Sequence, residues 1–174
     1  MAPKKAADPA KGKAVLEAEE PASFKASGGL KPALVGYRMG TAAQLVGLTR
    51  RMLDLTVEYA TDRRQFGVPI GSFQAVKHHL SDARIALEFA RPLVYRAAWT
   101  LATDDPEAAV HVSMAKATAS DAALLTARQA LQCHGAIGYS YEYDLHLFMK
   151  RAWALAAAWG DAALHRDRVG RAIL

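Results

Sequence analysis

Apolar residues recur along this chain at alternating steps of three and four, over four long stretches. Between about Ala33 and Thr61 the stripe is Leu45, Leu48, Met52, Leu55 and Tyr59. Between about Ser72 and Ala102 it is Phe73, Val76, Leu80, Ala83, Leu87, Ala90 and Val94. Such spacing puts one apolar stripe on each helix and favours near-antiparallel packing. Pro92 lies inside the second stretch and predicts a kink or a break there. Asp104-Asp105-Pro106-Glu107 reads as a helix start, with an acidic cap, a proline and a first-turn carboxylate. The third helix should run from about Pro106 to Cys133. The fourth should begin near Tyr143 or Asp144 and continue to the C-terminus, with Leu145, Phe148, Ala152, Leu155, Trp159, Ala162, Val169 and Ile173 inward. No stretch alternates with period two, so no strand is expected. These patterns predict an all-α fold, an up-down four-helix bundle with short connections.

Composition changes this picture at one end. Residues 1–30 are rich in Ala, Lys, Pro and Gly, and they hold few large apolar side chains. Such a segment cannot bury enough surface to order itself, so residues 1–30 are expected to form a flexible Lys/Ala-rich tail and residues 31–174 the bundle. Gly28-Gly29 closes the tail, and Pro32 suits the first turn of a helix. The net charge is +5, spread in mixed-sign order over the helices. No stretch concentrates Arg with interleaved aromatics, so nucleic acid is not the expected partner. No apolar run is long enough to span a bilayer, and the N-terminal segment has no apolar signal-peptide core. The single cysteine, Cys133, excludes an internal disulfide framework. A cytoplasmic protein with no membrane partner is expected.

Two turns carry the candidate chemistry. The first, Thr61-Asp62-Arg63-Arg64-Gln65-Phe66-Gly67-Val68-Pro69-Ile70-Gly71-Ser72-Phe73-Gln74, holds guanidiniums, amides, aromatics and glycines at a helix end. That set suits a polyanion with a flat group beside it, because Arg grips phosphate bidentately and a helix N-terminus adds amide donors. An ordinary connector with solvated arginines has the same composition. The second, Gln132-Cys133-His134-Gly135-Ala136-Ile137-Gly138-Tyr139, closes the third helix. Loops after odd-numbered helices of an up-down bundle lie at one end, so both turns are expected to face one ligand. His134 beside Gly135 is either a ligand contact or a hydrogen-bonded turn histidine. Cys133 is expected to pack. The six histidines show no helical metal-ligand spacing, so no metal is expected.

Both turns resemble stretches of one family. T-D-R-R-Q-F-G-V-P-I-G-S-F-Q-A-V-K-H-H-L-S-D resembles the R-x-Q-F-G-x-P-I-x-x-F-Q stretch of acyl-CoA dehydrogenases, and L-Q-C-H-G-A-I-G-Y resembles their Q-x-x-G-G-x-G-Y stretch. The resemblance covers roughly residues 23–174. It implies the family's C-terminal four-helix domain, which binds FAD together with two other domains and reaches the FAD of a neighbouring subunit. By position, Arg63, Gln65 and Phe66 match contacts to the neighbour's FAD. Gln132, Cys133, His134, Gly135 and Ala136 match the turn at that FAD's diphosphate. Phe73 and Gln74 match residues lining the flavin nucleotide, and Arg38 matches a first-helix arginine near the acyl-CoA.

Two departures from the family pattern follow. The two other domains are not in this chain, so alone it is not expected to enclose the isoalloxazine ring. The family's catalytic Glu precedes a glycine on the last helix, where this chain has Trp159-Gly160. A branch places that Glu just before the arginine, where this chain has Tyr37. Neither residue is a competent base at neutral pH. The resemblance therefore implies an oxidoreductase component without its own base, inactive alone. It would work with a homo- or hetero-oligomeric acyl-CoA dehydrogenase partner in α,β-dehydrogenation of a fatty or steroid side-chain acyl-CoA. A non-catalytic structural or regulatory bundle is the alternative. The stripe through Leu155, Trp159 and Ala162 predicts that the indole of Trp159 faces inward.

Overall fold

The computed structural model describes the backbone of residues 30–174 and side chains from residue 33 onward. The tail expected over residues 1–30 lies outside the described residues, apart from Leu30, which already begins a helix. Helix α1 is Leu30–Asp62, and Pro32 sits in its first turn. A minimal antiparallel hairpin follows, β1 (Arg64–Gln65) with β2 (Val68–Pro69), then a 3-10 turn, Ile70–Ser72. Helix α2 is Gln74–Ala102 and α3 is Ala108–His134. A second 3-10 turn, Gly135–Tyr139, leads to α4 (Leu145–Ala157) and α5 (Ala162–Ile173).

The result is the all-α four-helix bundle that the periodicity predicts, with three differences. The fourth helix is not continuous. Ala158 is extended, Trp159 and Gly160 have φ of 61° and 105°, and Asp161 caps α5 by accepting the Leu164 N–H at 2.8 Å. A left-handed glycine followed by an N-cap aspartate ends one helix and starts another, and this overrides the apolar stripe that runs through. Of the kink or break expected at Pro92, the break does not occur, and helix α2 runs through it. The hairpin was not expected, because two-residue strands are too short to show alternation.

The core lies where α1, α3 and α4 meet α2: Leu45, Met52, Val94, Val112, Leu145 and Met149 are buried there. Helix α3 is the central element. Alanines 115, 119, 123, 127 and 130 are buried along it, and side chains this small let neighbouring helices approach closely. Among the described residues, no helix is long and apolar enough to cross a membrane.

Candidate functional site

The Arg63 N–H donates to the Tyr59 carbonyl and the Ile70 N–H donates to the Arg63 carbonyl, both at 2.8 Å. These bonds fold the chain back on itself after α1. The two residues between the hairpin strands, Phe66 and Gly67, have φ of 52° and 81°. Positive φ at both positions is the mark of the I′ turn, whose twist matches the strands. Glycine adopts it freely, but for other residues the left-handed region costs roughly 1–2 kcal/mol. Phe66 is nevertheless 92% exposed. Its one ring contact among the described residues is an edge against Phe73, with centroids 6.1 Å apart.

Across from the hairpin, α3 ends at His134, and Gly135 takes φ 65° and ψ −142° to start the second turn. A shallow cavity of about 270 Å³ joins the two turns. Gln65, Phe66, Phe73, His79, Gln132 and Cys133 are among its lining residues. Five of the residues singled out in the sequence are thus brought to one place. Arg63, Gln74, Gly135 and Ala136 stand exposed on the same two turns without lining the cavity.

The imidazole of His134 is buried. It stacks on Tyr59 at 4.3 Å, and Nδ1 lies 2.7 Å from the Ala130 carbonyl, so the Nδ1–H donates there. Burial pulls its pKa below the ordinary value, with that hydrogen bond opposing. With the ring committed to the bundle, contact from His134 to a ligand is left to the backbone. Burial likewise pushes the Cys133 thiol up, which keeps it protonated. The Tyr143 hydroxyl donates to the Leu55 carbonyl at 3.3 Å and its ring lies against His134. This ties the last turns of α1 and α3 to the segment that leads into α4.

Arg38 lies elsewhere. It stands 25 positions before Arg63 on the chain, and at 1.5 Å of rise per helical residue that is about 37 Å along α1. Its Nε donates to the Trp159 carbonyl at 3.2 Å. Trp159 does not face inward as the stripe predicts. The reversal of φ at 159 turns it out, 47% exposed, and its ring stacks on Tyr37 at 5.1 Å with planes 15° apart. Tyr37 and Trp159, the two positions where the resemblance leads us to expect the family's base, are therefore side by side, and both are aromatic.

Beneath this elbow lie two groups that sequence reasoning missed, Lys116 and His165, both fully buried. Burial lowers the Lys116 pKa to about 8, with Asp161 opposing. Burial, then the charges of Lys116, Arg168 and Arg38, lower His165 to about 4. The one available signal for Lys116 was its register. It is a lone charge among small residues, four after Val112 and four before Ser120, on the face that α3 buries.

The comparisons with known proteins agree with the geometry. The family model for the C-terminal domain of acyl-CoA dehydrogenase matches residues 30–174. A probable acyl-CoA dehydrogenase of Bacillus subtilis is 35% identical over 141 residues, covering 81% of this chain and 37% of its own. The structure of butyryl-CoA dehydrogenase from Megasphaera elsdenii superposes with a TM-score of 0.77 at 36% identity, over 80% of this chain and 36% of that one. A chain of the ChsE4-ChsE5 complex from Mycobacterium tuberculosis gives 0.76 at 33% identity, over 79% and 37%. The chain spans little more than a third of the length of each of these relatives. With the two motif-bearing turns meeting at one end of a four-helix bundle, and a family model matching all the described residues, this chain belongs to the acyl-CoA dehydrogenase family through that family's C-terminal domain.

Proposed function

We propose that this chain is an oxidoreductase component that completes an FAD site across a subunit interface, in the α,β-dehydrogenation of an acyl-CoA such as a fatty or steroid side-chain thioester. The observation that carries the reading is the cavity joining Gln65, Phe66 and Phe73 to Gln132 and Cys133, at the far end of α1 from Arg38. A single small ligand does not bridge about 37 Å of helix. The clamp and the arginine therefore serve different sites, as they do where one subunit lends its turns to a neighbour's cofactor.

The residues present fit the nucleotide half of FAD. Phe66 and Phe73 offer exposed faces for a flat group, Gln65 and Gln132 offer amides, and Arg63 is exposed beside them to meet a diphosphate. Gly71 keeps the turn close: a Cβ there would lie 3.0 Å from the Ala60 carbonyl oxygen. Bound FAD supplies the hydride acceptor. The chain's own contribution is to hold the diphosphate and exclude water from one side of it.

On this reading the described residues at the other end supply no general base. Trp159 and Tyr37 stack on one another, the Asp161 carboxylate caps α5, and Lys116 and His165 are buried. General-base assistance is typically worth about a hundredfold to ten-thousandfold in rate. The α-proton must then be taken by a partner subunit's carboxylate. The alternative, a purely structural or regulatory bundle, shares the aromatic pair but gives no reason for the outward Phe66.

The test is flavin retention. The chain alone should purify colourless, and FAD should stay bound when a full-length acyl-CoA dehydrogenase partner is co-expressed. Arg63→Ala should weaken retention by about 1.5–3 kcal/mol, the scale of a lost charge-assisted hydrogen bond. Unchanged flavin content in the Arg63→Ala complex would sink the clamp and favour the structural bundle.

A further inference from the structure

The elbow between α4 and α5 is an unusual piece of backbone. Two successive residues, Trp159 and Gly160, lie in the left-handed region, and a helix has just ended with its last carbonyls lacking intrahelical donors. From α3, 40 or more residues away in sequence, Lys116 reaches into this gap. Its Nζ donates to the Ala156 carbonyl at 3.0 Å, the Gly160 carbonyl at 3.1 Å and the Ser120 hydroxyl at 3.0 Å. An ammonium has three protons, and all three are used.

We propose that Lys116 is a positioning residue that pins the α4–α5 elbow, and so holds the Trp159 carbonyl at Arg38 and the Trp159 ring on Tyr37. Its bonds go to the last turn of α4 on one side and to Gly160 on the other, so it fixes the two flanks of Trp159 relative to each other. An apolar side chain at 116 would leave the buried Ala156 carbonyl and the part-buried Gly160 carbonyl without these donors, which is costly for groups shielded from water. Alanine fills 115, 117 and 119 on the same helix, so a buried charge at 116 is not a requirement of α3 packing. The acceptors account for it.

The charged and titratable groups around this cluster come from each element that meets it. Asp161 lies at the elbow, His165 and Arg168 on α5, and Arg38 on α1. Asp121, further along α3, is paired with Arg166. Of these only Asp161 favours the ammonium, and burial dominates over it. The amine form has one donor fewer and no charge, so the pin should loosen as pH rises through the region of 8. That the elbow borders an acyl-CoA rests on the function proposed above; the pin itself does not.

The experiment uses the full 174-residue chain carrying Trp99→Phe and Trp153→Phe, which leaves Trp159 as the sole tryptophan. Both replaced side chains are substantially exposed. The protein is labelled with 5-fluorotryptophan and followed by fluorine NMR between about pH 6.5 and 9.5, a range that brackets the lowered lysine. We expect one resonance that titrates with a midpoint near 8. Lys116→Met should remove the titration and move the resonance toward the position given by Tyr37→Ala, with helix content unchanged by circular dichroism. Ser120→Ala removes one acceptor of the ammonium and should shift the midpoint to lower pH, and it serves where Lys116→Met does not fold. A resonance that does not move with pH in the parent, a titration that survives Lys116→Met, or a midpoint unmoved by Ser120→Ala would each overturn the pin. No flavin or partner is present in this assay, so its outcome is independent of the clamp.

Discussion

The hairpin tip and the elbow each hold an aromatic residue in the left-handed region, Phe66 at φ 52° and Trp159 at φ 61°. At the elbow the strain has an internal explanation. Trp159 stacks on Tyr37, its carbonyl accepts from Arg38, and Lys116 grips the backbone on both sides. At the tip there is no comparable support among the described residues. Phe66 touches Phe73 edge-on and is otherwise in solvent. Strained residues persist where the surroundings over-determine them or where function uses them. The elbow fits the first case within this chain. The tip fits the second, and the function proposed for it lies outside the chain.

Glycine substitutions should separate the two regions most widely. A Cβ on Gly160 would lie 2.6 Å from Leu164 Cδ2 and 3.1 Å from His165 Nε2, at φ 105°. On Gly67, at φ 81°, it would meet nothing within 4 Å. Gly160→Ala combines backbone strain with crowding and should cost about 2–4 kcal/mol. Gly67→Ala carries backbone strain alone and should cost about 1 kcal/mol. Urea unfolding of both variants is the check, and equal costs would mean that the elbow is not the packed element described.

The largest pH dependence of stability should also belong to the elbow. Lys116 in the native chain sits at about 8, below its ordinary 10.5. Between those values the unfolded chain holds a proton that the native chain has released, so stability rises with pH through that window. The destabilising contribution is fully present below 8 and is relieved toward 10.5; the gap is worth about 3 kcal/mol at most. His165 acts at the acid side. Its native value is about 4 against an ordinary 6.5, so its contribution is present above 6.5 and is lost as pH falls toward 4, again by about 3 kcal/mol at most. Subtracting the pH profile of Lys116→Met from that of the parent isolates the first effect, because Cys133 and Tyr143, both raised, are common to the two proteins. A flat difference curve would show that Lys116 is hydrated in solution.

These contrasts mark what was legible in the sequence. The meeting of the two turns was legible, because Gln65, Phe66 and Gln132 sit in contiguous motifs at helix ends, and up-down topology places such ends together. The elbow was not. Trp159 falls on the apolar stripe with Leu155 and Ala162, and periodicity alone places it inward. The correcting signal, Gly160-Asp161, is two residues long and competes with a stripe of many. Lys116 was invisible for a different reason. Its partners are backbone carbonyls of residues 40 and 44 positions away, and backbone acceptors leave no mark in sequence. The hairpin itself escaped because its strands are two residues each, although Phe66-Gly67 holds the glycine that such a turn needs.

The smallest expected effect bears most directly on the comparison. Asn-Gly is the favoured pair in a two-residue I′ hairpin, because asparagine tolerates the left-handed region far better than an aromatic does. Phe66→Asn should therefore leave the fold intact and raise stability by about 1 kcal/mol, since the side chain it removes is almost wholly exposed and buries little apolar area. If the tip serves only this chain, nothing is lost by the change. If it serves a flavin nucleotide held by a partner subunit, the same change removes a flat apolar face from the cavity beside Gln132, and flavin retention in the co-expressed complex should fall while unfolding resistance rises. The measurement is the pair of numbers from one protein, the urea midpoint of the isolated chain and the FAD content of the complex. A stabilised variant with full flavin content would place the tip with the elbow, as backbone strain without an outward role. A destabilised variant would show that Phe66 supports the hairpin through Phe73 after all, and the distinction between the two regions would fail at its first step.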